Sequence, residues 1–323
     1  MTATALPTPV RWHRPLLVLA VATAALAVAC LVGMLVDDRT LLGVNVWEKP
    51  LKFAISTAIY AVTWSWLIGQ LARFRRVAWW AGTIGVALLA IELVIIVGAA
   101  AAGITSHFNV ATPLNVTLWA IMAFSITALW VATFVVSILL FRVRLGDAAR
   151  TVAIRAGAVI ALIGMGLAFL MTGPQGSQIS NYEGVIGAHT VGVADGGPGI
   201  PLLGWSTVAG DLRIPHFVGM HALQAIPLVL IAIELLSRRV ARLREVTVRR
   251  RLVIVVVAAY PATLALLTGQ ALRGQSIVHP DAVTLALGAG IAVAALAAAT
   301  VILIRTPQQS AAPADSPSER VAA

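Results

Sequence analysis

Charge is what this sequence has least of. Asp, Glu, Lys and Arg together make up 11% of 323 residues. A soluble domain carries about a quarter charged residues, so a water-soluble globule is excluded. Cysteine is almost absent: Cys30 stands alone, which excludes an intramolecular disulfide and any thiolate metal cluster. No P-loop pattern occurs, which argues against nucleotide hydrolysis, and no His-Glu-x-x-His pair, which argues against a zinc hydrolase. Lysine is confined to Lys49 and Lys52, both at an outer helix start, so a retinal Schiff base has no amine at mid-depth.

What the chain has instead is apolar length. Hydrophobic residues make up 59%, and mean hydropathy is +0.93. Several runs reach the roughly 20 residues needed to cross a bilayer. The fold class that follows is all-α, a polytopic membrane helix bundle. Eight spans are expected at residues 16–36, 51–71, 77–103, 114–141, 156–172, 216–236, 252–272 and 282–304. The segment 27–30 has the look of a lipoprotein cleavage site, but the apolar run continues to residue 36, so the first helix is read as uncleaved.

The formal net charge is +10. With the N-terminus inside, basic residues divide 18 inside to five outside: Arg39, Lys49, Lys52, Arg213 and Arg273. That asymmetry puts both termini in the cytoplasm and makes the lipid bilayer, not nucleic acid, the partner of the positive charge. Residues 1–305 then form the transmembrane domain. Residues 173–215, rich in Gly and Pro, read as an outer cap. Residues 306–323, rich in Ser, Pro and Ala, read as a disordered cytoplasmic tail.

The polar residues concentrate on one side. The stretch 210–227 carries Asp211, Arg213, His216, His221 and Gln224 as it passes from a loop into a span. Two imidazoles and a carboxamide add nothing to a lipid-embedded helix, so they point to function. His221 and Gln224, at i and i+3, share a face, whereas His216 and His221, at i and i+5, diverge. His107, His189, His279, Lys52, Gln270 and Gln275 fall on the same outer side, and only His13 is inside. Glu92 lies within the third span without a charged neighbour in sequence, so it is either protonated or paired.

An internal repeat is also expected. Lys49-Pro50-Leu51-Lys52-Phe53 aligns with Ile214-Pro215-His216-Phe217, and the segment 113–118 with 280–285. Both matches suggest a parallel duplication of four spans, over residues 16–141 and 156–304. The even spans would then bring Lys52, His107, His216 or His221, and His279 to equivalent outer positions.

This layout resembles haem A synthase, in topology and approximate histidine placement only. An outer cysteine pair is missing, and the second span has no histidine. The resemblance implies a haem b site near the outer face, with ligands among His107, His216, His221 and His279, and Arg213 pairing with a propionate. The pattern Gly-Asp-Leu-Arg-x-x-His-Phe-x-Gly-x-His-x-x-Gln also resembles a set of uncharacterised bacterial integral membrane proteins, which implies a multi-pass protein of the bacterial inner membrane.

Three functions fit these residues: a haem- or metal-binding redox protein, a small-solute transporter using Glu92 and the outer polar cluster, or a membrane enzyme acting on a lipid or isoprenoid. A fourth role is docking of a membrane partner subunit.

Overall fold

The computed structural model describes residues 11–305; the expected disordered tail, 306–323, lies outside the described residues. The fold is an all-α polytopic bundle. Its long helices are α1 (Arg14–Val36), α2 (Glu48–Gln70), α3 (Arg75–Ala101), α4 (Pro113–Phe141) and α5 (Ala148–Gly166). A short helix, α6 (Gly176–Ser180), lies in the long loop. Then come α7 (Arg213–Met220), α8 (Ala222–Leu236), α9 (Val246–Leu272) and α10 (Ala282–Arg305). Seven helical segments are long and apolar enough to cross a membrane, and α7 with α8 makes an eighth that is bent by 48°.

The helix starts follow local chemistry. The His13 ring accepts from the Leu16 amide, and Thr112 caps α4 by accepting from the Asn115 amide ahead of Pro113 at the first helical turn. Asp147 accepts from the Arg150 amide, and this cap starts α5 eight residues earlier than the apolar run at 156 suggests. The basic residues Arg150 and Arg155 therefore belong to the helix and not to the loop before it. The sixth span departs further from expectation. It stops at Met220 and restarts at Ala222, next to Gly219, a residue type that weakens a helix interior.

Packing follows the order of the chain. In the first half α1 lies against α2 and α3, α2 against α3, and α3 against α4. In the second, α5 lies against the α7–α8 span and α9, that span against α9, and α9 against α10. The two sets of neighbours correspond one for one. The halves meet where α4 packs on α5 and where Leu223 joins the core around Trp64, Leu67 and Leu129.

Two small ribbons stand on the Arg-poor face, which the charge asymmetry assigns to the outside. Thr40–Leu41 (β1) pairs antiparallel with Val44–Asn45 (β2), and Thr190–Val191 (β3) with Gly210–Asp211 (β4).

Candidate functional site

The long loop between α5 and α7 is fixed to both halves of the bundle. Its Leu212 amide bonds the His189 carbonyl, and β3–β4 closes the base. The Tyr182 hydroxyl donates to the Val110 carbonyl, and the Ile186 amide to the Phe108 carbonyl, so the loop is tied to the α3–α4 connection.

Asp211 is the buried knot. Its carboxylate is 1% exposed and accepts from the Ser206 amide at 2.8 Å and from the Arg213 side chain at 2.6 Å. Arg213 also donates to the Gly204 carbonyl. Gly204 adopts φ +66, and a side chain built there would meet Lys52 at 3.3 Å, Glu48 at 3.5 Å and Arg213 at 3.6 Å. Glycine fits that left-handed, crowded position where a side chain would be strained. Lys52 pairs with Glu48 at 2.8 Å and donates to the Leu203 carbonyl. The tip of the loop is thus gripped by the first turns of α2 and α7, the two helices that the proposed repeat equates.

Four imidazoles share one arrangement, three at this loop and the fourth, His221, deeper at the α7–α8 break. In each, Nδ1 is held by the protein and Nε2 has no hydrogen bond among the described residues. His189 Nδ1 lies 2.6 Å from Asp195, and His216 Nδ1 donates to the Gly164 carbonyl at 2.8 Å. His221 Nδ1 meets the Gln224 carboxamide oxygen at 3.2 Å, and His107 Nδ1 meets the Ser106 hydroxyl at 3.1 Å. Gln224 is in turn fixed by donating to Thr63 of α2 at 3.1 Å. A ring held through one nitrogen presents the other in a fixed direction and tautomer. The His221 Nε2 atom is buried without a partner, as is one Glu92 carboxylate oxygen.

Aromatic rings wall the group. His107 sits against Phe53, Phe108 and Trp119, with ring centroids 5.3–6.1 Å apart. His189 abuts Phe108 at 4.9 Å, and His221 abuts Phe217 at 4.4 Å. Burial, with Lys49 and His189 adding repulsion, holds the His107 ring well below the usual histidine range. Burial also lowers His189, although Asp195 opposes it. Burial alone would raise Asp195, but bonds from the His189 ring and amide and from Thr190 hold its carboxyl below the usual carboxylate range.

Lys49 completes the set. It lies one turn before Lys52's neighbour Phe53 and within electrostatic range of Glu92, Asp195 and Arg213. Its field also reaches His107 and His189. Unlike Lys52, it has no hydrogen bond or ion pair among the described residues.

Of the residues singled out in sequence, the fold brings His107, His216, Arg213, Asp211 and Lys52 to this outer region, whereas His221 and Gln224 lie deeper, at the α7–α8 break, where Gln224 reaches Thr63 well along α2. Glu92 is 5% exposed within α3 and lies in the field of Lys49. Two others stand elsewhere. His279 is exposed on the α9–α10 loop, and buried Gln270 donates to the Ser276 carbonyl to fasten that same loop. Sequence reasoning passed over Lys49, His189 and Asp195 as site members. One signal for Lys49 was available: it is one of only two lysines. The His189–Asp195 pair, six residues apart in an irregular loop, has no periodicity to reveal it.

No group of three or more His, Cys, Asp or Glu able to hold a metal ion occurs among the described residues. No family model, curated protein or solved structure matches the chain.

Proposed function

We propose that this multi-pass membrane protein, of the bacterial inner membrane, is a carrier that binds a small anionic solute at its outer face, with Lys49 as the anchor. The observation that carries this reading is the Lys49 side-chain nitrogen, which has no hydrogen bond or ion pair among the described residues and lies among imidazoles whose free nitrogens can donate or accept. An amine that takes up its proton together with an arriving anion attracts a carboxylate or phosphate and repels a bare metal cation. The N-termini of α2 and α7 add their dipoles at the same place, a broken span included, as in carriers that seat anions on half-helix ends. Glu92, deeper along α3 and in the field of Lys49, supplies a second group that can exchange a proton as the anion arrives or leaves.

The test is binding by purified protein of a defined panel: phosphate, acetate, succinate and citrate, read by thermal shift and by uptake into proteoliposomes. At least one of them stabilises the wild type, and Lys49→Gln removes that shift. If no anion in the panel distinguishes wild type from Lys49→Gln, the reading fails.

One observation favours haem b as a second reading. His216 gives its Nδ1 proton to a backbone carbonyl, the form in which Nε2 offers a lone pair to iron. His216 with His189 would hold the group, Lys49 would face a propionate, and the haem would supply one-electron redox chemistry. Protein expressed with haem supplementation and lacking a Soret band dismisses it.

A further inference from the structure

On the opposite, Arg-rich face the first turns of α1 and α3 enclose an open cavity of about 1030 Å³. Arg11, Arg14 and Arg75 line it, with the indoles of Trp12 and Trp79. Its floor is His13, 2% exposed, with Nδ1 accepting from the Leu16 amide and Nε2 donating to the Trp79 carbonyl at 3.0 Å. A side chain at Gly82 would meet the imidazole at 3.1 Å, so glycine there lets the ring seat against α3. Among the described residues, no carboxylate lines the cavity. Arg11, Arg14 and Arg75 have no hydrogen bond or ion pair among the described residues.

Among the described residues, the carboxylates of this face are engaged in the other half. Asp147 pairs with Arg249 at 3.0 Å, Glu234 with Arg150 at 2.9 Å, and Glu245 has its own partner. Three guanidinium groups facing one cavity without a counter-charge repel each other unless an anion joins them. Guanidinium forks match phosphate oxygens two at a time.

We propose that this cavity binds the phosphodiester headgroup of an anionic membrane lipid. The cavity lies where α1 and α3 enter their apolar runs, the depth of a headgroup. Trp12 and Trp79, each 42% exposed, are the residue type that settles at that boundary. Arg14 and Arg75 reach the phosphate from two helices, so the bound lipid ties α1 to α3 at the cytoplasmic surface.

Native mass spectrometry of the full-length protein tests this. The lipids are phosphatidylglycerol and phosphatidylcholine with the same acyl chains, and sn-glycerol 3-phosphate serves as the free phosphate ester. Phosphatidylglycerol is retained at least tenfold better than phosphatidylcholine. The Arg14→Gln/Arg75→Gln double variant loses at least tenfold of that retention. Arg238→Gln/Arg239→Gln, which removes two exposed arginines elsewhere on the same face, keeps it. Equal retention of the two lipids by the wild type overturns the proposal without any variant. Equal losses in both double variants overturn it as well, since bulk charge would then suffice. Displacement of the lipid by millimolar glycerol phosphate overturns the lipid assignment in favour of a free phosphate ester.

Discussion

The two halves of the bundle pack their helices in the same pattern and share the outer site, but they differ in how they treat the arginines of the inner surface. The first half keeps a straight second span, α2, and a short outer ribbon. Besides giving Lys49, Lys52 and His107 to the outer site, it leaves Arg11, Arg14 and Arg75 inside, facing a cavity without carboxylates among the described residues. The second half breaks the equivalent span at His221 and builds its outer loop into β3–β4 and α6. Its inner arginines find partners instead: Arg150 and Arg249 take carboxylates, and Arg155 caps the last carbonyls of α4. The comparison separates two causes. Apolar packing fixes which helices touch, and that is the same in both halves. A local break, a glycine contact and a loop decide where chemistry is placed, and those differ.

The glycine contact is the strongest point at which to break the comparison. A side chain on Gly164 would sit 2.2 Å from the Gly219 backbone, so α5 and α7 cross with their main chains in contact. The crossing also brings the Gly164 carbonyl to His216. Gly164→Leu forces the helices apart and costs about 3 kcal/mol or more, at the upper end of overpacking. Gly98 in α3 has nothing within 4 Å of an added side chain. Gly98→Ala is therefore neutral or slightly stabilising, since alanine is the better helix former. Thermal melts in detergent compare the two. Equal melting temperatures would mean that the α5–α7 crossing yields as easily as an open helix face.

The next effect concerns the outer loops. Asp211→Asn leaves Arg213 partly buried and the Ser206 amide poorly paired, a loss of about 3 kcal/mol for breaking a buried pair. The first half has a superficially similar pair, Asp37 with Arg39 at 2.7 Å, but its arginine is 50% exposed. Water and salt screen such a pair, so Asp37→Asn changes little. Limited proteolysis within residues 173–212 reads the difference: cutting accelerates in Asp211→Asn and stays at the wild-type rate in Asp37→Asn. Unchanged cutting in Asp211→Asn would show that β3–β4 and the Arg213–Gly204 contact hold the loop without it.

How much of this was legible beforehand follows from the same division of causes. Eight apolar runs announced the bundle, because a bilayer imposes a length and a composition that few other structures share. The match of the segment 49–53 with 214–217 suggested a repeat; the helix neighbours correspond in the two halves, as they do in any bundle whose consecutive helices pack side by side. The break in the sixth span was not legible: Pro227 was the visible irregularity, yet the chain bends six residues earlier, next to Gly219. The start of α5 was hidden because Arg150 and Arg155 look like loop residues until Asp147 is seen to cap them. At the site, His216 and His221 stood out because they interrupt an apolar helix. Lys49 and His189 did not, because their importance lies in what surrounds them: one lacks a partner, and the other has Asp195 brought to it by an irregular loop.

The smallest of these effects is a pH dependence that separates the two surfaces. His13 at the inner end and His189 at the outer end are both held neutral by burial, with pKa lowered from the ordinary value near 6.5. The unfolded chain therefore takes up a proton at each before the folded protein does. Their stabilisation is complete above about pH 6.5 and is lost as pH falls toward the lowered folded values. Asp195, whose pKa is also lowered, titrates later: its contribution is complete above about pH 4 and is lost below. The groups around His189 are Asp195, Arg213 and Lys49, so its protonation meets one negative and two positive neighbours. Between pH 6.5 and 5 the outer loop becomes easier to cut in the wild type, while His189→Gln, already weakened, shows a flatter profile. His13→Gln flattens the pH dependence of the whole-protein melt and leaves the loop profile unchanged. If His13→Gln flattens both profiles, the two surfaces unfold as one unit, and the outer loop of the second half and the inner cavity of the first are energetically coupled through the helices between them.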